Sequence, residues 1–421
     1  MKMIKRIIVV LSIFFSLTSS GQEQTSSPYS SYGLGEIKYK GTVDIKALGG
    51  LGIAGDSINI NLLNPASYSK IRLISFAVGG TTTFTDIQTN TESNKSKRTS
   101  LDYLLVSIPL KKLGVTFGLM PYSSVGYKTK SNFTELDGSE RFKSKIGSGN
   151  VNKFFTGLAY SFNKNLSVGI DFGYHFGTTE NDFTESLYSP IILQYGTKER
   201  NTSKTNGYSI NTGIQYSKKI SSKLNLLTSF TFSPETKFKN TNDRVIATVT
   251  YSNSGSEASF DVSDVVTTKI NMINPSKFSF GAGIGEAKKW LIGTDITFIN
   301  NKKLINRFDM GSAVSFENST RIAVGGYYVP KYDSFSNYLN RIVYRAGFKY
   351  ENTGLVINNT SINDYGMNFG LGLPVGLSRI NLGVEFGRKG TTSNNLIEEN
   401  YFNLSIGLSL NDIWFKKRKI D

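Results

Sequence analysis

Between Leu166 and Phe176 the sequence reads LSVGIDFGYHF, and its side chains divide by parity. Leu166, Val168, Ile170, Phe172, Tyr174 and Phe176 fall on one face of an extended chain; Ser167, Gly169, Asp171, Gly173 and His175 fall on the other. A strand sends successive side chains to opposite faces, so this segment has one apolar face and one small, polar face. The preceding run from Phe154 to Phe162 alternates likewise, and only Asn163, Lys164 and Asn165 separate the two. That spacing predicts an antiparallel hairpin with a tight turn. The pattern recurs at 208–216, 277–285, 290–298, 309–316, 379–387 and 402–410. Something apolar must cover each of these faces.

Two architectures provide such a cover. A β-sandwich buries its apolar faces against each other and turns polar faces rich in Lys, Glu and Thr to water. Here the polar faces are mostly Gly, Ser, Asn and Thr, and the charges gather between the strands. The chain holds 41 Gly, 28 Phe and 22 Tyr, with the aromatics recurring near strand ends, where the interfacial girdles of a membrane barrel would sit. Short connections at 110–114, 163–165, 286–289 and 317–320 alternate with long polar ones at 86–98, 129–150, 185–203, 241–272, 331–340 and 389–399. The expectation is therefore an all-β fold, a transmembrane antiparallel up-and-down β-barrel of the bacterial outer membrane. Its short turns would be periplasmic and its long loops extracellular. Such a barrel shows its apolar face to lipid and leaves no open backbone edge. Fifteen segments qualify as strands, 307–316 among them and GLVIN (354–358) as a short extra. Both termini in the periplasm require an even number; fourteen is the expectation and sixteen the alternative.

The N-terminus agrees with export. Lys2, Lys5 and Arg6 precede an apolar run from Ile7 to Leu17, and small residues follow, which reads as a signal peptide over 1–20. The run is too short for a membrane-spanning helix, which needs roughly 20 residues. There is no cysteine, hence no disulfide framework and no lipid-bearing thiol. The formal net charge of +16 points to anionic lipid headgroups as partners, and no nucleic-acid-binding motif is present. A basic tail, 413–421, carries Trp414, Phe415 and the KKRK run from Lys416 to Lys419. Its aromatics suit the periplasmic interface and its charge the headgroups beyond it.

Residues 21–70 do not alternate. They are Gly-rich and polar, yet hold Tyr29, Tyr32, Leu48 and Ile53. Irregular backbone at membrane depth is tolerated inside a barrel, where protein and water satisfy it. The expected organisation is thus a lumenal segment over 21–70 and a barrel over 71–412. ALGGLGIAGDSININLLNPASYS (47–69) resembles the N-terminal hatch of the FadL-type outer-membrane transporters of long-chain fatty acids, with Gly49, Gly50 and Gly52 leading into Asn64, Pro65 and Ala66. GSGNVNKFFTGLAYSF (147–162) is similar to a Gly-rich strand entry of that family, and the tail resembles members from Bacteroidetes-type bacteria. The resemblance implies a 14-stranded barrel plugged by its N-terminal segment and importing hydrophobic molecules. It implies no cofactor. The family also includes relatives that serve as subunits of larger outer-membrane machines.

Within the barrel, parity points Asp171, His175, Asp295, Arg345, Lys349 and Glu385 into the lumen. Mixed inward charges pair and hold a plug; the sharper expectation is that Arg345 and Lys349 attract an anionic headgroup. His175 is the only histidine, so no His or Cys cluster for a metal can form, and no Gly-x-Ser-x-Gly elbow accompanies it. An enzyme is not expected. Passive uptake of hydrophobic small molecules such as long-chain fatty acids leads. A non-transporting subunit of a protein-secretion or barrel-assembly complex is the alternative.

Overall fold

The computed structural model describes residues 24–38, 41–134, 138–187, 194–251, 257–305 and 313–412. The signal-peptide and basic-tail expectations lie outside these residues. In the N-terminal segment, β1 (Glu36–Ile37) is followed by one helical turn, α1 (Val43–Lys46), and a 3-10 turn, Pro65–Lys70. The wall then opens with β2 (Ile74–Gln88), β3 (Ser93–Leu110), β4 (Leu113–Ser124), β5 (Tyr127–Thr134) and β6 (Glu140–Ser161). Next come β7 (Leu166–Leu187), β8 (Gln194–Lys219), β9 (Leu224–Ser233), β10 (Thr236–Tyr251), β11 (Glu257–Phe260) and β12 (Val266–Asn274). It finishes with β13 (Lys277–Glu286), β14 (Trp290–Ile299), β15 (Val314–Phe316), β16 (Ser319–Tyr328), β17 (Val343–Ile357), β18 (Thr360–Val375), β19 (Ser378–Gly390) and β20 (Glu398–Asp412).

All twenty lie in one antiparallel sheet. β5 and β10 continue β4 and β9 past short breaks, β12 runs into β13 across Pro275, and β1, β11 and β15 are short additions. Fourteen staves remain, as expected. The ring closes where β2 pairs with β20 from Ile74↔Asp412 to Gln88↔Glu398. Closure pairs the two ends of the sheet, which is what allows backbone to cross lipid.

The alternation read from the sequence becomes an outside and an inside. Phe172, Ile170, Phe280, Ile292 and Val324 stand exposed on the outer face, while His175, Asp171, Gln215 and Asp295 are buried on the inner one. Aromatic contacts ring the outer face, with Phe172–Tyr208 at 5.4 Å, Phe278–Phe298 at 5.2 Å and Phe386–Phe402 at 4.9 Å between centroids. The protein is an outer-membrane β-barrel.

Two expectations about the connections are corrected. β14 pairs directly with β16 from Trp290↔Tyr328 to Ile299↔Ser319, so no stave stands between them. Of the strand expected at 307–316, only β15 forms within the described residues, and it pairs with the top of β17, where GLVIN lies. Losing one stave exchanges the ends of the next two connections. Residues 317–320 therefore sit at the end of the long loops, and 331–340 sit at the end of the short turns. Much of 129–150, 185–203 and 241–272 is also strand rather than loop: β6, β7 and β8 run 22, 22 and 26 residues, against 10 each for β14 and β16. A membrane crossing needs about 9–11 residues. The excess of β6–β8, joined by β5, β10, β11 and β12, raises one sector of the wall above the membrane. Its outer face is polar (Thr178, Glu180, Asp182), which is why apolar alternation did not reveal it.

Candidate functional site: the plugged lumen

Residues 41–71 pack against the inward faces of staves around the ring. Local chemistry shapes them first. Pro65 opens the 3-10 turn, and the Asn64 side chain accepts the Ala66 N–H at 3.0 Å through Oδ1. Its Nδ2 donates to the Ile214 carbonyl on β8 at 3.1 Å, which ties the turn to the wall. The wall is cut to receive it: a Cβ on Gly213 would lie 2.1 Å from Asn64 Oδ1, and one on Gly169 would lie 2.4 Å from the Pro65 carbonyl carbon. After α1 the chain turns through Gly49 (φ +71°) and Gly50 (φ +94°), a backbone conformation open to glycine. The Gly52 N–H donates to Asp295 at 3.2 Å, and the Gly49 carbonyl accepts from Arg321 at 2.5 Å.

Ion pairs add to these contacts. Lys46 of α1 meets Asp102 of β3 at 2.6 Å; Asp56 meets Arg379 of β19 at 2.7 Å; Glu36 of β1 meets Lys389 at 3.3 Å. Burial raises the Asp44 carboxyl above its ordinary pKa, with Arg345 opposing the shift. For Asp56, burial pushes up, but the Arg379 guanidinium more than offsets it and leaves the carboxyl below its usual range. A depressed carboxylate contributes stability above its unfolded pKa, about 3.9, and that contribution disappears as pH falls through the lower folded value. Acidification should thus loosen the segment in the native protein. In Arg379→Gln, Asp56 is left half-buried without its partner, its pKa rises, and acidification should tighten the segment. The urea midpoint of a fluorophore on Ser57→Cys, compared between pH 7 and pH 3, should show opposite slopes. Equal slopes would remove the anchor role of the pair.

Of the six lumen residues expected from parity, Asp295 receives the Gly52 N–H of the N-terminal segment, and the other five are brought into contact with partners in the wall. Asp171 meets Lys153 at 3.0 Å and accepts from Asn211 at 3.1 Å. His175 shares a 2.7 Å hydrogen bond between Nε2 and Ser209 Oγ, with the Tyr122 ring edge-on at 4.4 Å. Arg345 donates to Asn381 at 3.1 Å. Lys349 lies between Glu385 at 2.8 Å and Asp364 at 3.3 Å, so two carboxylates already occupy the ammonium that was expected to draw in a third. Glu385 also accepts from Asn403 at 3.0 Å. Sequence reading passed over Lys46, Asp56, Asp102, Arg379, Lys389 and Glu36. Arg379 and Lys389 share the parity of Glu385 and were within reach of the same argument. Lys46, Asp56 and Glu36 lie on the segment without alternation, where parity carries no information.

Above this floor is a chamber of about 420 Å³, with residues 24–38 on its other side. Its lining sets the charged side chains Lys46, Asp102, Lys277, Arg321, Lys349 and Glu385 among apolar ones that include Leu34, Ile37, Leu63 and Phe316. Beside it the barrel wall is incomplete. The β3–β4 ladder ends at Leu104↔Leu119, while β4 goes on to Ser124 and β3 extends back to Ser93. β1 occupies the break, pairing Glu36 with Ser124 and Ile37 with Ser123, and the Lys38 N–H donates to the Tyr122 carbonyl at 2.9 Å. Among the described residues no three His, Cys, Asp or Glu stand close enough to hold a metal ion.

The fold is shared with solved outer-membrane channels. The "CymD monoaromatic hydrocarbon channel" superposes with a TM-score of 0.55 at 12% identity, covering 92% of this chain and 99% of that one. The toluene transporter TodX of Pseudomonas putida gives 0.54 at 16% identity, over 89% and 98% of the two chains. A FadL homologue of Pseudomonas aeruginosa gives 0.55 at 10% identity, over 90% and 98%. At these identities the likeness is one of fold. No curated protein matches by sequence. One family model spans residues 3–421, nearly the whole chain, and is described as BamG. Matched over that length, the chain belongs to the BamG family.

Proposed function

We propose that this chain is a plugged, non-conducting barrel that serves as a component of a larger outer-membrane assembly, of the kind that secretes proteins or builds barrels. The observation that carries this reading is the fastening of residues 41–71 to the wall. Opening a path would break the Lys46–Asp102 and Asp56–Arg379 pairs, the Arg321–Gly49 bond and the glycine-mediated contacts together. The many charged side chains in the chamber lining support it, because a site for apolar molecules carries only a small number of polar groups. The raised sector of β5–β8 and β10–β12 supplies a surface for partners beyond the membrane. Extraction of the native protein in mild detergent, followed by mass spectrometry, should bring large partners in stoichiometric amounts, and planar bilayers should show no conductance steps. A lone, conducting barrel carrying lipid would overturn the reading.

A second reading, passive uptake of hydrophobic small molecules, is favoured by the break between β3 and β4 and by the fold shared with hydrocarbon channels. The lining then selects an apolar molecule with an anionic end, such as a long-chain fatty acid. Residues 36–38 would be the gate. Fatty acid co-purifying with a solitary barrel, and lost in a variant lacking 36–38, would support it.

A further inference from the structure

The raised sector carries a lysine cluster at a defined height. The register pairs Lys204 with Thr241 and Thr241 with Lys269 in one row, and Asn206 with Lys239 and Lys239 with Asn271 in the row beneath. One rung lower, the Phe238↔Gly207 pair puts Lys237 opposite Tyr208. All four lysines are exposed, and their parity is that of Tyr208, Phe172 and the other outward aromatics. Rows lie about 7 Å apart and strands about 4.8 Å apart, so the four stems root in a patch of about 10 by 14 Å. The carboxylate that pairs with this group among the described residues is Asp243, 3.6 Å from Lys204. Between Lys239 and Lys269 lies a shallow depression of about 430 Å³, edged by Asn206, Thr241 and Asn271 amide and hydroxyl groups.

The position of the patch identifies its ligand. Directly below are Tyr208, 57% exposed, and Phe172, stacked on it at 5.4 Å; these belong to the aromatic girdle. Both described barrel termini, Ile74 and Asp412, lie at the opposite end with the short turns, so this girdle marks the outer leaflet. Lys237, level with Tyr208, and Lys239, Lys204 and Lys269, one and two rungs above it, stand at headgroup depth, where each basic side chain strengthens contact with anionic lipid. Amides and hydroxyls between them suit sugar hydroxyls.

We infer that Lys204, Lys237, Lys239 and Lys269 on the outer face of β8, β10 and β12 form a binding site for the phosphorylated sugar headgroup of an outer-leaflet glycolipid. The acyl chains would lie down the aromatic face of β7–β9. This site is independent of whether the barrel transports or assembles.

The test uses the full-length protein, delipidated in detergent and titrated with diphosphorylated lipid A, with the same lipid after dephosphorylation, and with inorganic phosphate. Diphosphorylated lipid A should bind saturably, and Lys204→Gln/Lys237→Gln/Lys239→Gln/Lys269→Gln should weaken it about tenfold or more. Lys128→Gln/Lys130→Gln, charges on the same sector away from the patch, should leave it unchanged. Heat-modifiability on gels reports folding, and the pairs Lys204→Gln/Lys269→Gln and Lys237→Gln/Lys239→Gln replace the quadruple variant if it misassembles. Equal binding of the dephosphorylated lipid, an unaffected patch variant, or an equal loss in the Lys128/Lys130 control would overturn the site. Inorganic phosphate binding as tightly as the lipid would overturn its assignment to a headgroup.

Discussion

Asp171→Asn should destabilise the barrel by about 3–5 kcal/mol, the largest effect expected of any single change in the lumen. Asp171 and Lys153 meet at 3.0 Å with side chains 3% and 6% exposed. The neutral amide would leave the Lys153 ammonium buried against Phe155 with no counter-charge. Removing both charges is a different matter, since two apolar side chains of similar volume bury without a desolvation penalty. Lys153→Met/Asp171→Leu should therefore recover most of the loss. Urea unfolding of detergent-solubilised protein, run as a double-mutant cycle, measures both numbers. A single variant within about 1 kcal/mol of wild type would mean that water reaches the pair and screens it.

The second large effect belongs to the floor. A Cβ on Gly347 would lie 2.2 Å from both the Leu48 carbonyl carbon and the Gly49 nitrogen, which are backbone atoms that cannot swing aside. Gly347→Val must push residues 48–49 off the wall or bend β17, at a cost of about 1–3 kcal/mol or more. The expected result is a floor open to protease in an otherwise folded barrel, with conductance steps appearing in planar bilayers. Ala346→Val, one residue along and facing lipid, is the matched control. If Gly347→Val stays closed and protease-resistant, the tight fit of the segment does not hold the lumen shut.

The class of fold is legible in local pattern alone. Period-two alternation in LSVGIDFGYHF and its repeats specifies which side chains face lipid. That is local information, set by strand geometry and by the cost of exposing an apolar face to water. It yielded the outer face, the inward parity of Asp171, His175, Asp295, Arg345, Lys349 and Glu385, and fifteen candidate strands, one more than the fourteen staves that form. The Asn64-Pro65-Ala66 motif entered through a family resemblance alone; its turn comes from one proline and one side-chain cap.

The remaining features depend on contacts between residues far apart in the chain, which no local pattern encodes. For Lys349, parity leaves both pairing and headgroup capture open; closure of the sheet decides for pairing by placing Asp364 and Glu385 on either side of it. Gly213 and Gly347 became sockets only once Asn64 and Leu48 lay against them. The stave expected at 307–316 failed because β14 already had β16 as its partner, and a ladder edge accepts one neighbour. The raised sector was invisible to hydropathy, since above the membrane water satisfies the outer face and the sequence has no reason to alternate. Its lysines, spread from 204 to 269, converge only when β8, β10 and β12 come into register.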